Sequence, residues 1–163
     1  MSIKTLDDLF LETVKDIYYA EKKMVKMLPK MAKKAASPPL KEAIQNHLTE
    51  TEGQVERLEE VFNLLEKKPV AKKCEAIEGL VKEADEVLAE IEDERTLDAA
   101  IISSAQTVEH YEIARYTTLV NWAGELGIHE AQSLLQATLD EELEADEKLS
   151  GLAEEYVDQK AAA

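Results

Sequence analysis

The sequence has little cysteine, glycine or proline, and it lacks a long apolar run. Its 163 residues include one cysteine (Cys74), five glycines and four prolines. A single cysteine excludes an internal disulfide, and no stretch approaches the roughly 20 apolar residues that span a bilayer. The first ten residues, MSIKTLDDLF, lack the charged start and apolar stretch of a secretory signal. These absences predict a cytoplasmic protein with no membrane partner.

Basic residues are also scarce relative to acidic ones. The chain has 19 lysines and arginines against 35 aspartates and glutamates, which gives a formal net charge of -16. Such a charge repels phosphate backbones, so we predict no basic patch and no nucleic-acid partner. The same field attracts cations, although most of these charges are expected on solvated helix surfaces.

The residues that are abundant favour helices. Apolar residues make up 45% of the chain, and alanine, leucine, glutamate and lysine dominate it. The length suits one domain, predicted over residues 1–158, with a frayed tail at 159–163. Apolar spacing and capping residues predict four long helices and one short one. The first long helix lies at about 6–35 with a kink near Val25, and the second runs from Ser37 to near Lys67. The short helix runs from Cys74 to about Ile91, the third long helix from Thr96 to the Gly124–Gly127 turn, and the fourth directly after that turn.

This order of helices predicts an all-α fold. Two antiparallel hairpins with tight turns are joined by a long connection that carries the short extra helix. That is the ferritin-like way to arrange a four-helix bundle.

Polar residues occupy positions in the middle of each long helix where the apolar period requires core residues. Each one alone is explained equally well by a small error of helical phase, but all four helices show the same interruption. The inward polar positions are Glu21 on the first helix, His47, Glu50 or Thr51, and Gln54 on the second, Gln106, Glu109 and Glu112 on the third, and Thr138, Glu142 and Asp146 on the fourth.

The distances to the turns place these groups at similar heights. Glu21 and Glu50 are nearly equidistant from the turn at Ser37, and Glu112 and Glu142 are equidistant from Gly127. Carboxylates that meet in an apolar interior must take up protons, pair with cations or bind metal. The basic residues adjacent in sequence, among them Arg57 and Lys148, are predicted to point to other faces.

We therefore predict a site for two metal ions, with iron as the first choice and manganese as the second. Glu50 and Glu142 would bridge the ions, and Glu21 with Glu109 or Glu112 would be terminal ligands. His47 would be a nitrogen ligand or a group hydrogen-bonded beside the ligands, and Asp146 is the remaining candidate. The usual Glu-x-x-His pairs are missing, because His47-x-x-Glu50 is reversed. His110 and His129 are left outside the set.

Five blocks of the sequence match a known family over nearly the whole chain. They are YYAEKKMVKMLPKMA, HLTETEGQVERL, KKCEAIEGLVKEADEV, DAAIISSAQTVEHYEIARYTTLVNWAGELG and LLQATLDEELEADEKL. On these blocks the sequence resembles the YciE/YciF family of ferritin-like bacterial stress proteins. The resemblance implies a bundle that is often a homodimer and has a dinuclear iron-type site. Glu21, Glu50, Glu109 and Glu142 are carried over first, and His47, Glu112 and Asp146 next.

Two classes of function stay open at this point. The first is a di-metal carboxylate protein that reacts with a small-molecule oxidant in a stress-related role. The second is a structural or partner-binding acidic bundle without catalysis. A storage cage or a DNA-protecting assembly fits less well, because the chain has no basic tail. The sequence assigns no catalytic residue and no organic cofactor, and it leaves open whether the chain is an enzyme.

Overall fold

The computed structural model describes the backbone of residues 2–161 and the side chains up to Glu155. No strand occurs in this part of the chain, and the all-α fold class is confirmed. The frayed tail predicted at 159–163 stays a prediction: the backbone is helical to Ala161, and residues 162 and 163 lie outside the described part. The five helices are α1 (Leu6–Lys34), α2 (Pro38–Leu64), α3 (Glu75–Ala89), α4 (Glu94–Glu125) and α5 (His129–Ala161).

Local chemistry fixes the helix ends. Thr5 and Asp8 form a capping box at the start of α1, where the Thr5 hydroxyl accepts the Asp8 N–H at 3.1 Å. The start of α4 lies two residues before the predicted Thr96, because the Asp93 carboxylate accepts the Thr96 N–H at 2.7 Å and caps the helix. The end of α2 precedes the predicted Lys67, and Glu66 has a left-handed φ of 54°.

The four long helices form a bundle in which α1 and α5 each pack against α2 and α4. The connection from α2 to α4 therefore runs between helices on opposite corners of the bundle. The short helix α3 lies in this connection and packs on α4 and α1. Two hairpins with such a crossover make the ferritin-like arrangement.

The interior has two apolar layers with polar residues between them. This division follows from the sequence, since the apolar stripe of each long helix is interrupted at its middle. The layer nearer the α1–α2 turn contains Leu28, Leu40, Ile44 and Ile102, and the layer at the other end contains Ile17, Leu58, Val61, Leu119 and Leu135.

A buried carboxylate joins α4 to the α1–α2 turn. Asp98 Oδ1 and Oδ2 accept the backbone N–H groups of Ala36 and Ser37, each at 2.8 Å. Both donors lie at the turn before α2, where backbone groups lack helical partners. Asp98 therefore fixes the position of the second hairpin against the first.

We expect Asp98→Asn to lower the free energy of unfolding by roughly 2–4 kcal/mol, because it weakens one charge-assisted hydrogen bond and leaves a second N–H facing an amide donor. Urea unfolding followed by circular dichroism measures this loss. Asp85→Asn, at an exposed position on α3, is the control and should leave the unfolding midpoint unchanged. Equal midpoints for the two variants would contradict the role given to Asp98.

Lysines recur at helical spacing on the surface of α1. Lys22, Lys26 and Lys30 border a surface depression together with Lys23 and Tyr19, and Lys23 Nζ lies 2.7 Å from Glu78 Oε1. The prediction of no basic patch and no nucleic-acid partner stays a prediction. No described helix has the length and apolar run needed to cross a membrane.

Candidate metal centre

Ionisable side chains from all four long helices meet between the two apolar layers. They lie one or two turns from apolar residues of the same stripe, so the helical phase that buries the core buries them as well. At most 7% of the surface of any of them is exposed. They are Glu21 from α1, His47 from α2, Glu109 and Glu112 from α4, and Glu142 from α5.

Four of these residues face one point. One ligand atom from each of His47, Glu109, Glu112 and Glu142 lies within 4.8 Å of the other three. His47 Nε2 is 3.0 Å from Glu109 Oε1 and 3.7 Å from Glu142 Oε2. The group combines one imidazole nitrogen with three carboxylates, and it could hold a metal ion.

Glu21 lies beside this group and bonds to a buried phenol. The hydroxyl of Tyr116 donates to Glu21 Oε1 at 2.5 Å, and both side chains are fully buried. Burial raises the pKa of Glu21 to about 8, although the bond from Tyr116 acts in the opposite direction. Burial and the nearby Glu21 raise the pKa of Tyr116, so the phenol keeps its proton.

The structure does not bring the other two predicted residues, Glu50 and Asp146, into the group. Glu50 is 28% exposed, and its Oε2 lies 3.2 Å from His47 Nδ1. Asp146 is 22% exposed, and its Oδ2 lies 3.0 Å from Nε2 of the exposed His110. Glu50 therefore contacts a member of the cluster, His47, whereas Asp146 contacts a histidine outside it, His110.

Two basic side chains lie closer to the site than the sequence predicts. Lys148 Nζ is 3.9 Å from Glu50 Oε1. Arg57 donates to both carboxylate oxygens of Glu141, at 2.6 and 2.7 Å, and to the Thr138 hydroxyl at 3.2 Å. The sequence does not predict the Arg57–Glu141 ion pair, because both residues flank the apolar stripes of their helices. The inward position of Thr138, which Arg57 contacts, is the one feature of the sequence that points to this region.

The surroundings of the cluster favour neutral carboxyl groups at Glu112 and Glu142 when no metal balances the charge. Burial, followed by the neighbouring carboxylates, raises the pKa of Glu112 and Glu142 well above its ordinary value. Burial disfavours the charged form of His47, but hydrogen bonds with Glu109 and Glu50 prevail and raise its pKa. Burial also opposes ionisation of Glu109, yet its contacts with Glu142 and His47 lower its pKa. Glu109 is thus the carboxylate that faces a cationic imidazole.

Several carboxylate oxygens in the cluster lack a hydrogen-bond partner among the described residues. Buried acceptors of this kind are costly, and folded proteins seldom leave them unpaired. A hard multivalent cation would satisfy several of them at once, so the residues present fit a metal ion. The oxygens are Glu21 Oε2, Glu109 Oε2, Glu112 Oε1 and both oxygens of Glu142.

These features define a ferritin-like four-helix bundle with a buried cluster of glutamates and one histidine. The chain belongs to the family described as a domain of unknown function, DUF892, whose model matches residues 5–162. Protein YciF of Escherichia coli K12 is 43% identical over 162 residues, which cover 99% of this chain and 98% of that protein. The predicted family resemblance is confirmed.

Solved structures agree with this assignment. The crystal structure of the E. coli stress protein YciF matches with a TM-score of 0.92 at 43% identity, over 96% of this chain and 99% of the other. YcfI from Rhodopseudomonas palustris, whose description proposes a structural role, matches with a TM-score of 0.90 at 50% identity, over 91% and 95%. A protein of Xanthomonas campestris with 24% identity and a TM-score of 0.75, over 94% of both chains, shares the fold.

Proposed function

We propose that this chain is a metal-binding carboxylate protein that holds two ions, iron first and manganese as the alternative, and that it acts on a small oxidant under stress. One observation carries the proposal: three long helices bring His47, Glu109, Glu112 and Glu142 together, with buried carboxylate oxygens that lack hydrogen-bond partners among the described residues. The stress-related part rests on the description of E. coli YciF as a stress protein. Bound iron would supply the redox capacity that the side chains lack.

The geometry supports a revised division of roles. Glu109, Glu112 and Glu142 would hold the ions with His47 Nε2, and Glu21 would complete the set from the side of Tyr116. Glu50 would accept a hydrogen bond from His47 Nδ1 and orient the ring instead of bridging the ions. A carboxylate behind a ligating histidine fixes its tautomer in this way.

Anomalous scattering tests the proposal directly. Crystals grown with ferrous iron in the absence of oxygen, and measured on both sides of the iron absorption edge, should show two peaks beside Glu142 and Glu109, and a single peak would reduce the proposal to a one-ion site. A matched crystal grown with chelator should show none. Peaks confined to exposed acidic residues, or no peak at all, would refute an internal metal centre.

A second candidate is a structural bundle whose carboxyl groups share protons. The raised pKa values of Glu21, Glu112 and Glu142 favour it, because they let the cluster lose charge without metal. The role proposed for the Rhodopseudomonas relative points the same way. This candidate predicts the same melting temperature for the purified protein before and after exhaustive treatment with chelator, whereas the metal proposal predicts a lower one afterwards.

A further inference from the structure

A narrow cleft leads from the protein surface to one edge of the buried cluster. Its inner end is formed by His47 and Glu109, and it lies on the side of the cluster nearer the α1–α2 turn. All four long helices contribute to its walls, so the cleft is built into the centre of the bundle. The polar Asn46, Glu50 and Lys148 also line the cleft, and Asn46 is exposed at the surface. The aliphatic side chains along the wall are Leu28, Ala43, Ile44, Ala105, Ala145 and Leu149.

The size of the cleft limits what it can admit. Its volume is about 20 Å³, and a cavity needs roughly 10–15 Å³ to hold one water molecule. Three positions on the wall are alanines, and two of them, Ala105 on α4 and Ala145 on α5, are buried. The cleft therefore has room for about one or two water molecules, and a diatomic molecule is of that size.

The chemistry of the walls narrows the choice further. The aliphatic side chains offer no hydrogen bond to a polar solute, so a polar molecule would lose its hydration on the way in. An anion would in addition approach the carboxylates at the inner end. At the outer end Lys148 Nζ and Glu50 Oε1 lie 3.9 Å apart, and His47 and Glu109 stand at the inner end, so the aliphatic side chains line the section between two charged ends.

We propose that this cleft is the entry site for dioxygen, an apolar diatomic molecule, on its way to the His47 and Glu109 edge of the cluster. The inference rests on the proposed function, because dioxygen has a reaction partner there only if the cluster holds a redox metal. Apolar walls concentrate dioxygen relative to water, and the short path ends at two residues of the proposed ligand set.

Nuclear magnetic resonance of the metal-free protein under oxygen pressure tests the cleft itself. Dissolved dioxygen is paramagnetic, so it shifts the methyl signals of residues that it contacts. We expect the shifts of Ile44 and Leu149 to exceed those of the comparably buried Val81 and Leu88 by roughly twofold or more, since dioxygen gathers beside apolar groups that it can reach. Shifts of the same size in both pairs would overturn the inference.

A variant that fills the cleft gives the matched comparison. Ala145→Leu should abolish the excess shift at Ile44, and Ala137→Leu, at an exposed position on the same helix, should preserve it. If Ala145→Leu fails to fold, Ala145→Val adds less volume and should reduce the excess in part. Persistence of the full excess in a folded Ala145 variant would show that dioxygen takes another route.

Metal analysis separates the two proposals. Iron bound without excess shifts in the cleft would overturn the dioxygen route and leave the metal centre in place. Excess shifts in a protein that binds no iron would support the cleft as a dioxygen site and would contradict the proposed metal centre.

Discussion

Glu142→Gln is expected to abolish metal binding while leaving the metal-free protein at least as stable as the unaltered chain. Glu142 is fully buried, and neither of its carboxylate oxygens has a hydrogen-bond partner among the described residues. Burial and the neighbouring Glu112 raise its pKa and so favour the neutral carboxyl group when no metal is present, and a neutral amide of the same shape costs little there. A metal ion, in contrast, binds the deprotonated carboxylate of Glu142, which the amide cannot replace.

The size of the effect follows from binding linkage. A ligand present at 100 times its dissociation constant stabilises the folded state by about 2.7 kcal/mol. For a chain of this length that free energy raises the melting temperature by about 5–10 °C. The unaltered protein should show this rise on addition of ferrous or manganous ions, and Glu142→Gln should not.

Glu144→Gln provides the control, because this residue lies exposed on the same helix and the substitution changes the charge identically. Elemental analysis after removal of free metal should find near-stoichiometric ions in the control and background levels in Glu142→Gln. Equal metal contents would contradict the assignment of the site.

The second large effect concerns pH. The metal-free protein is expected to lose stability as pH rises from about 5 to about 8.5, with a fall in melting temperature of roughly 5–10 °C. Glu21 has a pKa of about 8 in the folded chain against an ordinary value of 4.5. Over this interval the folded state therefore keeps a proton that the unfolded state has released, and stability falls with increasing pH.

The other shifted groups of the cluster do not cancel this trend. Glu112 and Glu142 also have raised pKa values, and the raised pKa of His47 likewise gives a contribution that is lost at high pH. The lowered pKa values of Glu50 and Glu109 contribute stability that disappears only on acidification below the ordinary glutamate range. Within the stated interval the main contributions therefore share one sign.

Thermal melts of chelator-treated protein at a series of pH values measure the slope. Glu21→Gln should reduce this slope without abolishing it, because the amide holds no titrating proton and its oxygen can still accept the bond from Tyr116, while Glu112, Glu142 and His47 still contribute. Glu52→Gln, at an exposed position on α2, should leave the slope unchanged. A melting temperature that stays constant or rises across the interval would show that the cluster does not store protons.

The sequence predicts the helices and the level of the cluster well, because both depend on the apolar period. Three residues along a helix correspond to a rotation of about 60° back from a full turn, so His47 and Glu50 lie on neighbouring parts of one face. The packing of α2 against α5 decides which of the two residues points fully inward. The sequence of α2 alone does not determine that packing. The structure buries His47 and leaves Glu50 at the edge.

The contacts of long side chains are also difficult to predict from the sequence. The positions of Arg57 and Lys148 on their helices point away from the centre, yet both side chains reach carboxylates beside it, Glu141 and Glu50. Helical phase locates a Cα atom and the direction of its Cβ atom, but not the end of a flexible chain.

The connection between the hairpins has a consequence for how the cluster comes into being. Glu21 and His47 belong to the first half of the chain, and Glu109, Glu112 and Glu142 belong to the second. Only the segment that includes the exposed residues 66–73 and α3 joins the halves covalently. Proteolysis of residues 66–73 would leave two fragments, each with an incomplete set of ligands. A bound ion would then link the two separate polypeptides, because its ligands would come from both.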